Sequence, residues 1–181
     1  IGLMGGGGAI GVHSADIAYR LGLDLPRFST ETQARLSEIL ATPGIGFQNP
    51  VDMLTPALPL DQILRLTEEI LRRESIDIFM LITLLHAVDL NPRLFSELLD
   101  LEAPDSLLYF EELLNSLLRL KSETGKEIVA VIENRVHRVE NMETEEKFRK
   151  VRKRFQAAGI PVFATADRGL LAIRNTLHSR E

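Results

Sequence analysis

Unbroken apolar runs alternate along the chain with stretches whose apolar residues recur every three or four positions. Ile1 to Met4 reads as the end of a buried strand, and four glycines follow it, Gly5 to Gly8. Ala9 to about Leu21 has helical spacing and closes at Gly22. Leu23 to Phe28 reads as a short strand. Thr30-Glu31-Thr32-Gln33 has the form of a capping box, and Leu36, Ile39 and Leu40 give the helix behind it an apolar face. The proline-rich stretch from Thr42 to Pro59 reads as loop. Leu60, Ile63, Leu64, Thr67, Ile70 and Leu71 then return at helical spacing. Ile76 to Ile82 is nearly all apolar, as a central parallel strand covered on both faces must be. Leu107 to Lys121 and Thr144 to Ala158 predict helices, the second with Phe148, Val151 and Phe155 inward and Gly159 at its end. Glu127 to Glu133 and Pro161 to Ala164 predict the last strands, and Asp167 is expected to cap a final helix reaching about His178.

Strands that alternate with helices argue for an α/β fold, here a doubly wound parallel sheet of about five strands in three layers. No internal repeat or linker interrupts the pattern, so residues 1–181 read as a single domain. Ile1 lies in a strand-like segment, which leads us to expect an excised or N-terminally truncated fragment. Leu84 to Asp105 is long for a connection and is expected to hold an extra short helix.

Composition narrows the function. A net charge of −5 argues against wholesale binding to nucleic acid. The absence of cysteine removes disulfides, Cys-ligated zinc and a thiol nucleophile, and fits a reducing cytoplasm. No apolar run is long enough for a membrane helix.

The most informative segment is MGGGGAIGVHSAD, Met4 to Asp16, between the first strand and the first helix. Ligands of open α/β sheets bind there, at the carboxyl ends of the strands. Glycines let the backbone approach a ligand closely, and a helix N-terminus offers unbonded N–H groups and partial positive charge. Anion binding and a purely structural tight turn both fit these residues. No Lys-Ser/Thr follows the glycines, so this is not a phosphate-binding loop of the Walker type. The spacing and the missing acidic residue downstream argue against a dinucleotide fingerprint.

The order of motifs resembles that in NDP-forming acyl-CoA synthetases of the succinyl-CoA synthetase superfamily, among them ADP-forming acetyl-CoA synthetases. The matching residues are Gly8, Gly11, Val12, Ala15, Asp16, Gly22, Leu23, Leu25, Ser29, Thr32, Leu36, Asn49, Pro50, Val51 and Asp52. The tail AAGIPVFATADRGLLAIRNTL is similar to the family's closing strand and helix. The resemblance implies a flavodoxin-like domain that follows a phosphohistidine domain. It implies a complete enzyme that turns acid, CoA and ATP into acyl-CoA, ADP and phosphate. The loop Gly6, Gly7, Gly8, Ala9, Ile10, Gly11 and Val12 would then be one of two helix ends that hold the phosphohistidine's phosphoryl group. The family's usual Gly-Gly-Pro-Gly is replaced here by Gly8-Ala9-Ile10-Gly11, and Ile10 keeps the N–H that Pro lacks. The phosphorylated His, the CoA-binding domain and the ATP-grasp domain would all lie outside this chain. ATP/ADP, CoA and magnesium would belong to the complete enzyme, with no catalytic residue and no cofactor in this domain alone. The alternative is a non-catalytic synthetase-like sensor or scaffold domain that keeps the anion-binding turn or docks a partner domain.

Asn49 and Asp52 flank Pro50 and either bond loop backbone or line the pocket or a domain contact. His13, beside the glycines, and His86, after a buried strand, are weighed as nucleophiles against packing roles, while His137 and His178 read as surface residues. No histidines and carboxylates have metal-ligand spacing, so no metal site is expected. Six Lys or Arg between Thr144 and Ala158 (Lys147, Arg149, Lys150, Arg152, Lys153 and Arg154) read as a solvated face, with a docking face as the other reading. Leu98, Leu99, Leu101, Leu107 and Leu108 are expected in the core.

Overall fold

The structure, a computed structural model, describes residues 1–41, 45–53, 58–84, 105–133 and 142–179. In chain order the elements are β1 (Gly2–Gly5), α1 (Gly8–Arg20), α2 (Thr30–Ile39), β2 (Val51–Asp52), α3 (Leu60–Arg73), β3 (Ile78–Leu84), α4 (Ser106–Thr124), β4 (Glu127–Glu133), α5 (Met142–Ala157), β5 (Val162–Phe163) and α6 (Ala166–His178). The strands form one five-stranded sheet in the order β2-β1-β3-β4-β5, and every pairing is parallel. This is the flavodoxin-like arrangement, in which the chain reverses direction across the sheet between β1 and β3.

The two central strands explain the apolar runs. β3 and β4 pair from Ile78↔Glu127 to Leu84↔Glu133, and their side chains are buried on both faces. On one face Leu3, Met80, Ile82, Val129 and Val131 pack against Ala18 of α1 and Leu170 and Ile173 of α6. On the other, Met4, Phe79, Leu81, Ala130 and Ile132 pack beneath Leu36, Ile63, Phe110 and Phe155 of α2, α3, α4 and α5. The result is three layers, with two helices on one side of the sheet and four on the other among the described residues. Within the four-helix layer the buried Tyr109 donates its hydroxyl to the Leu58 carbonyl at 3.1 Å, and burial pushes its pKa well above the ordinary phenol value.

Four expectations are corrected. Leu23 to Phe28 is not a strand; the second strand is Val51–Asp52, inside the stretch read as loop. Pro26 has no N–H to give a ladder. The Phe28 N–H donates to the Gln48 carbonyl at 3.2 Å, so this segment lines the loop instead of the sheet. The cap of α2 is Ser29, one residue earlier than the expected box, with its hydroxyl accepting the Thr32 N–H at 3.2 Å. Gln33 reaches back to the Phe28 carbonyl at 2.7 Å. The cap of α6 is Thr165, which leaves Asp167 in the first helical turn. There the Thr165 hydroxyl, ahead of backbone N–H groups, holds its carboxyl below the usual range. Leu107 is half-buried against the core, but Leu108 is 59% exposed, because the buried stripe of α4 passes through Tyr109, Phe110, Leu113 and Leu117. Gly22 and Gly159 do stand at helix ends with positive φ, 69° and 86°. Leu98, Leu99, Leu101 and most of Leu84 to Asp105 lie outside the described residues.

Candidate functional site

β1 ends at Gly5, and the chain turns through Gly6 and Gly7 into α1. Gly7 is the N-cap, at φ 99° and ψ 135°. That backbone geometry is close to closed to any residue with a Cβ, which is why glycine stands there. The turn lies at the carboxyl end of β1, between β2 and β3, at the point where the strand order reverses.

Its donors divide into two groups. The Ile10 N–H donates to the Gly7 carbonyl at 3.0 Å, and the Gly11 N–H to the same oxygen at 3.3 Å. The donor that Ile10 retains is therefore used to close the first turn and does not point outward. Gly8 and Ala9 are the first two helical residues, so their N–H groups have no carbonyl within the helix to reach. Ala9 is exposed, Gly8 is exposed, and Gly6 is buried. Ile10 is half-buried and packs into the core, which anchors the turn from below.

Asp52 shapes the turn from the neighbouring strand, and Asn49, just ahead of that strand, holds the start of β1. The Gly7 N–H donates to Asp52 Oδ1 at 3.1 Å. A Cβ on Gly8 would stand 3.1 Å from Asp52 Oδ2, so the carboxylate lies flat against the glycines. Asn49 makes three bonds at 2.9 Å: Oδ1 accepts the Leu3 N–H, and Nδ2 donates to the Ile1 and Pro26 carbonyls. Its amide takes the place of ladder bonds along the outer edge of β1, just before β2 begins with Met4↔Val51 and Gly5↔Asp52. The Met53 N–H then donates to the Gly5 carbonyl at 2.9 Å. The peptide bond between Asn49 and Pro50 is cis. Both Asx side chains thus bond backbone: Asp52 lies against the glycine turn, and Asn49 clasps the start of β1.

Val12 is 65% exposed. His13 and Asp16 are exposed on the outer side of α1. His178 is exposed at the end of α6, with Nδ1 3.1 Å from the Arg174 carbonyl oxygen. His86 and His137 lie outside the described residues. Among the described residues no group of three or more His, Cys, Asp or Glu is placed to hold a metal ion, and no helix is long and apolar enough to cross a membrane. One residue escaped the sequence reading. Glu133 ends β4 opposite Leu84 and is only 8% exposed, which brings a second carboxylate to the carboxyl edge of the sheet. Its signal was an acidic residue closing an otherwise apolar strand.

No family model matches the sequence, and no curated protein matches it. The fold is similar to that of PH0766 from Pyrococcus horikoshii OT3, at a TM-score of 0.68 and 19% identity, over 96% of this chain and 34% of that one. It is also similar to the dinucleotide-forming acetyl-coenzyme A synthetase 1 of Candidatus Korarchaeum cryptofilum. The apo form gives a TM-score of 0.61 at 16% identity, over 98% of this chain and 33% of that one. The same synthetase in complex with phosphate and ADP gives the same score and identity, over 32% of its chain. At these identities the likeness is one of fold. The chain spans about a third of the length of these structures.

Proposed function

We propose that this chain is the flavodoxin-like domain of an NDP-forming acyl-CoA synthetase, and that its glycine turn holds the phosphoryl group of a phosphohistidine presented by another domain. The observation that carries this is the place of the turn. It stands at the strand-order reversal, with the Gly8 and Ala9 N–H groups unbonded at the head of a thirteen-residue helix. A dianionic phosphoryl group gains from convergent backbone donors and from the helix's partial positive charge, with no metal required. The motif order from Gly8 to Asp52 and the likeness of fold to an acetyl-CoA synthetase support the reaction class.

In this reading acid, CoA and ATP yield acyl-CoA, ADP and phosphate. The nucleophilic His, the CoA-binding domain and the ATP-grasp domain stand elsewhere in the same cytoplasmic enzyme. This chain's own residues have three tasks. Gly8 and Ala9 donate to the phosphoryl oxygens, Gly7 sets the turn, and Asn49 and Asp52 fix the turn against β1 and β2. Asp52 turns the Gly7 N–H toward itself, so the donors left for a ligand are those of Gly8 and Ala9.

The test uses the longest natural parent chain with γ-labelled ATP and magnesium. Acid-labile label is expected on the parent and none on this domain alone. Ala9→Asp separates folding from function, because its two effects have opposite sign. A carboxylate in the first turn of α1 stabilises the helix by about 0.5 kcal/mol, while it repels a phosphoryl group and removes the label. A labelled parent that keeps its label with Ala9→Asp overturns the cradle.

A second reading is a non-catalytic sensor or scaffold domain of the same fold. The observation that favours it is the Asp52 carboxylate seated on the Gly7 N–H, an internal anion already at the helix end. It expects a parent without acid-labile label.

A further inference from the structure

A cavity of about 250 Å³ opens between α4 and α5, in the four-helix layer and away from α1. Its floor is apolar: Phe110, Val151 and Phe155 are at most 5% exposed, and Leu107 is half-buried beside them. Its rim carries Glu111, Lys150 and Arg154.

The basic run of α5 explains which of these charges is available. Lys147 pairs with Glu143 at 3.4 Å and Arg149 with Glu145 at 2.9 Å. Arg152 stands over the Phe148 ring, 5.4 Å from its centre. Arg154 grips Glu111 with two nitrogens, at 2.7 to 3.1 Å. Three of the six cations are thus ion-paired within the chain and Arg152 lies on a ring, which argues against a broad docking face for an acidic partner. Lys150 is exposed at the cavity rim and has no ion pair among the described residues.

We propose that this cavity binds a small amphipathic monocarboxylate, with its hydrocarbon tail on Phe110, Val151 and Phe155 and its carboxylate at Lys150. Volume sets the tail: a dry cavity of about 150 Å³ takes benzene, so this one admits a chain or ring somewhat larger. Charge sets the head. Two cations and one carboxylate leave a single positive charge for the ligand, and Glu111 repels a second anionic group. The site stands independently of the glycine turn and of the reaction proposed for it.

The probe is octanoate, with 1-octanol as the uncharged control, titrated calorimetrically into the 181-residue chain and followed by backbone amide NMR. Saturable octanoate binding is expected with Kd below about 1 mM, with shifts confined to α4 and α5. Lys150→Glu, an exposed position that leaves the fold intact, is expected to weaken it about five- to tenfold. Leu107→Trp fills the cavity and abolishes it. No saturable binding by octanoate overturns the proposal. So does binding that Lys150→Glu leaves unchanged, or binding that 1-octanol matches, since either means the carboxylate is not recognised.

Discussion

Asn49→Ala tests the central construction of the site. The Asn49 side chain makes three 2.9 Å bonds to backbone, to Leu3, Ile1 and Pro26. Each is worth about 1 kcal/mol net. The Leu3 N–H is the group least able to recover, because Leu3 is 0% exposed, and a stranded buried donor costs about 1–3 kcal/mol. Asn49 itself is only half-buried, so water re-bonds part of what is lost, and the total comes to about 2–4 kcal/mol. At about 2–4 °C per kcal/mol for a domain of this size, the melting temperature should fall by roughly 5–15 °C. Urea unfolding at constant m-value measures it directly. Asn49→Asp sharpens the test. It keeps an acceptor for the Leu3 N–H but sets a carboxylate against two carbonyls, so this isosteric change should cost at least as much. A loss below about 1 kcal/mol for Asn49→Ala, or a neutral Asn49→Asp, would refute the clasp and return Asn49 to the reading as a pocket-lining residue.

Other expectations are simpler. Gly7→Ala puts a Cβ on a residue at φ 99° and should cost about 1–3 kcal/mol, although the Cβ itself meets nothing within 4 Å; an unchanged urea midpoint would mean the turn relaxes without strain. Tyr109→Phe removes the 3.1 Å bond to the Leu58 carbonyl and should cost about 1 kcal/mol at neutral pH. The same residue gives a pH signature. Its folded pKa is raised by burial, so its contribution is complete below the unfolded phenol pKa of about 10 and declines as pH rises past it. Stability measured on either side of that pH should fall more steeply in the wild type than in Tyr109→Phe.

The central sheet was legible because β3 and β4 are covered on both faces, so all of IFMLITL but Thr83, and the IVAVI between the two glutamates of EIVAVIE, had to be apolar. The edge was not. β2 is two residues long, too short to show a period, and its pairing depends on Asn49 and Gly5 from the other side of the turn. Leu23 to Phe28 had the apolar content of a strand and lost the place to Val51–Asp52. Ser29 and Thr30 are both good caps in sequence, and only the hydroxyl bond to Thr32 decides between them. The glycine turn was recognisable as a turn, and its position before α1 was read correctly. The direction of its donors was not, because the partner of the Gly7 N–H is 45 residues away.

That separation bears on when the turn acquires its shape during folding. Gly7 and Asp52 are held together across a loop whose closure entropy must be met before the contact forms. The glycine turn is thus a product of the finished topology and not a local nucleus. A peptide of residues 1–20 would carry every glycine of the turn, yet its Gly7 N–H would exchange with solvent freely. In the whole chain, pulsed hydrogen exchange should find that amide among the last to gain protection, in step with Met53 and the docking of β2.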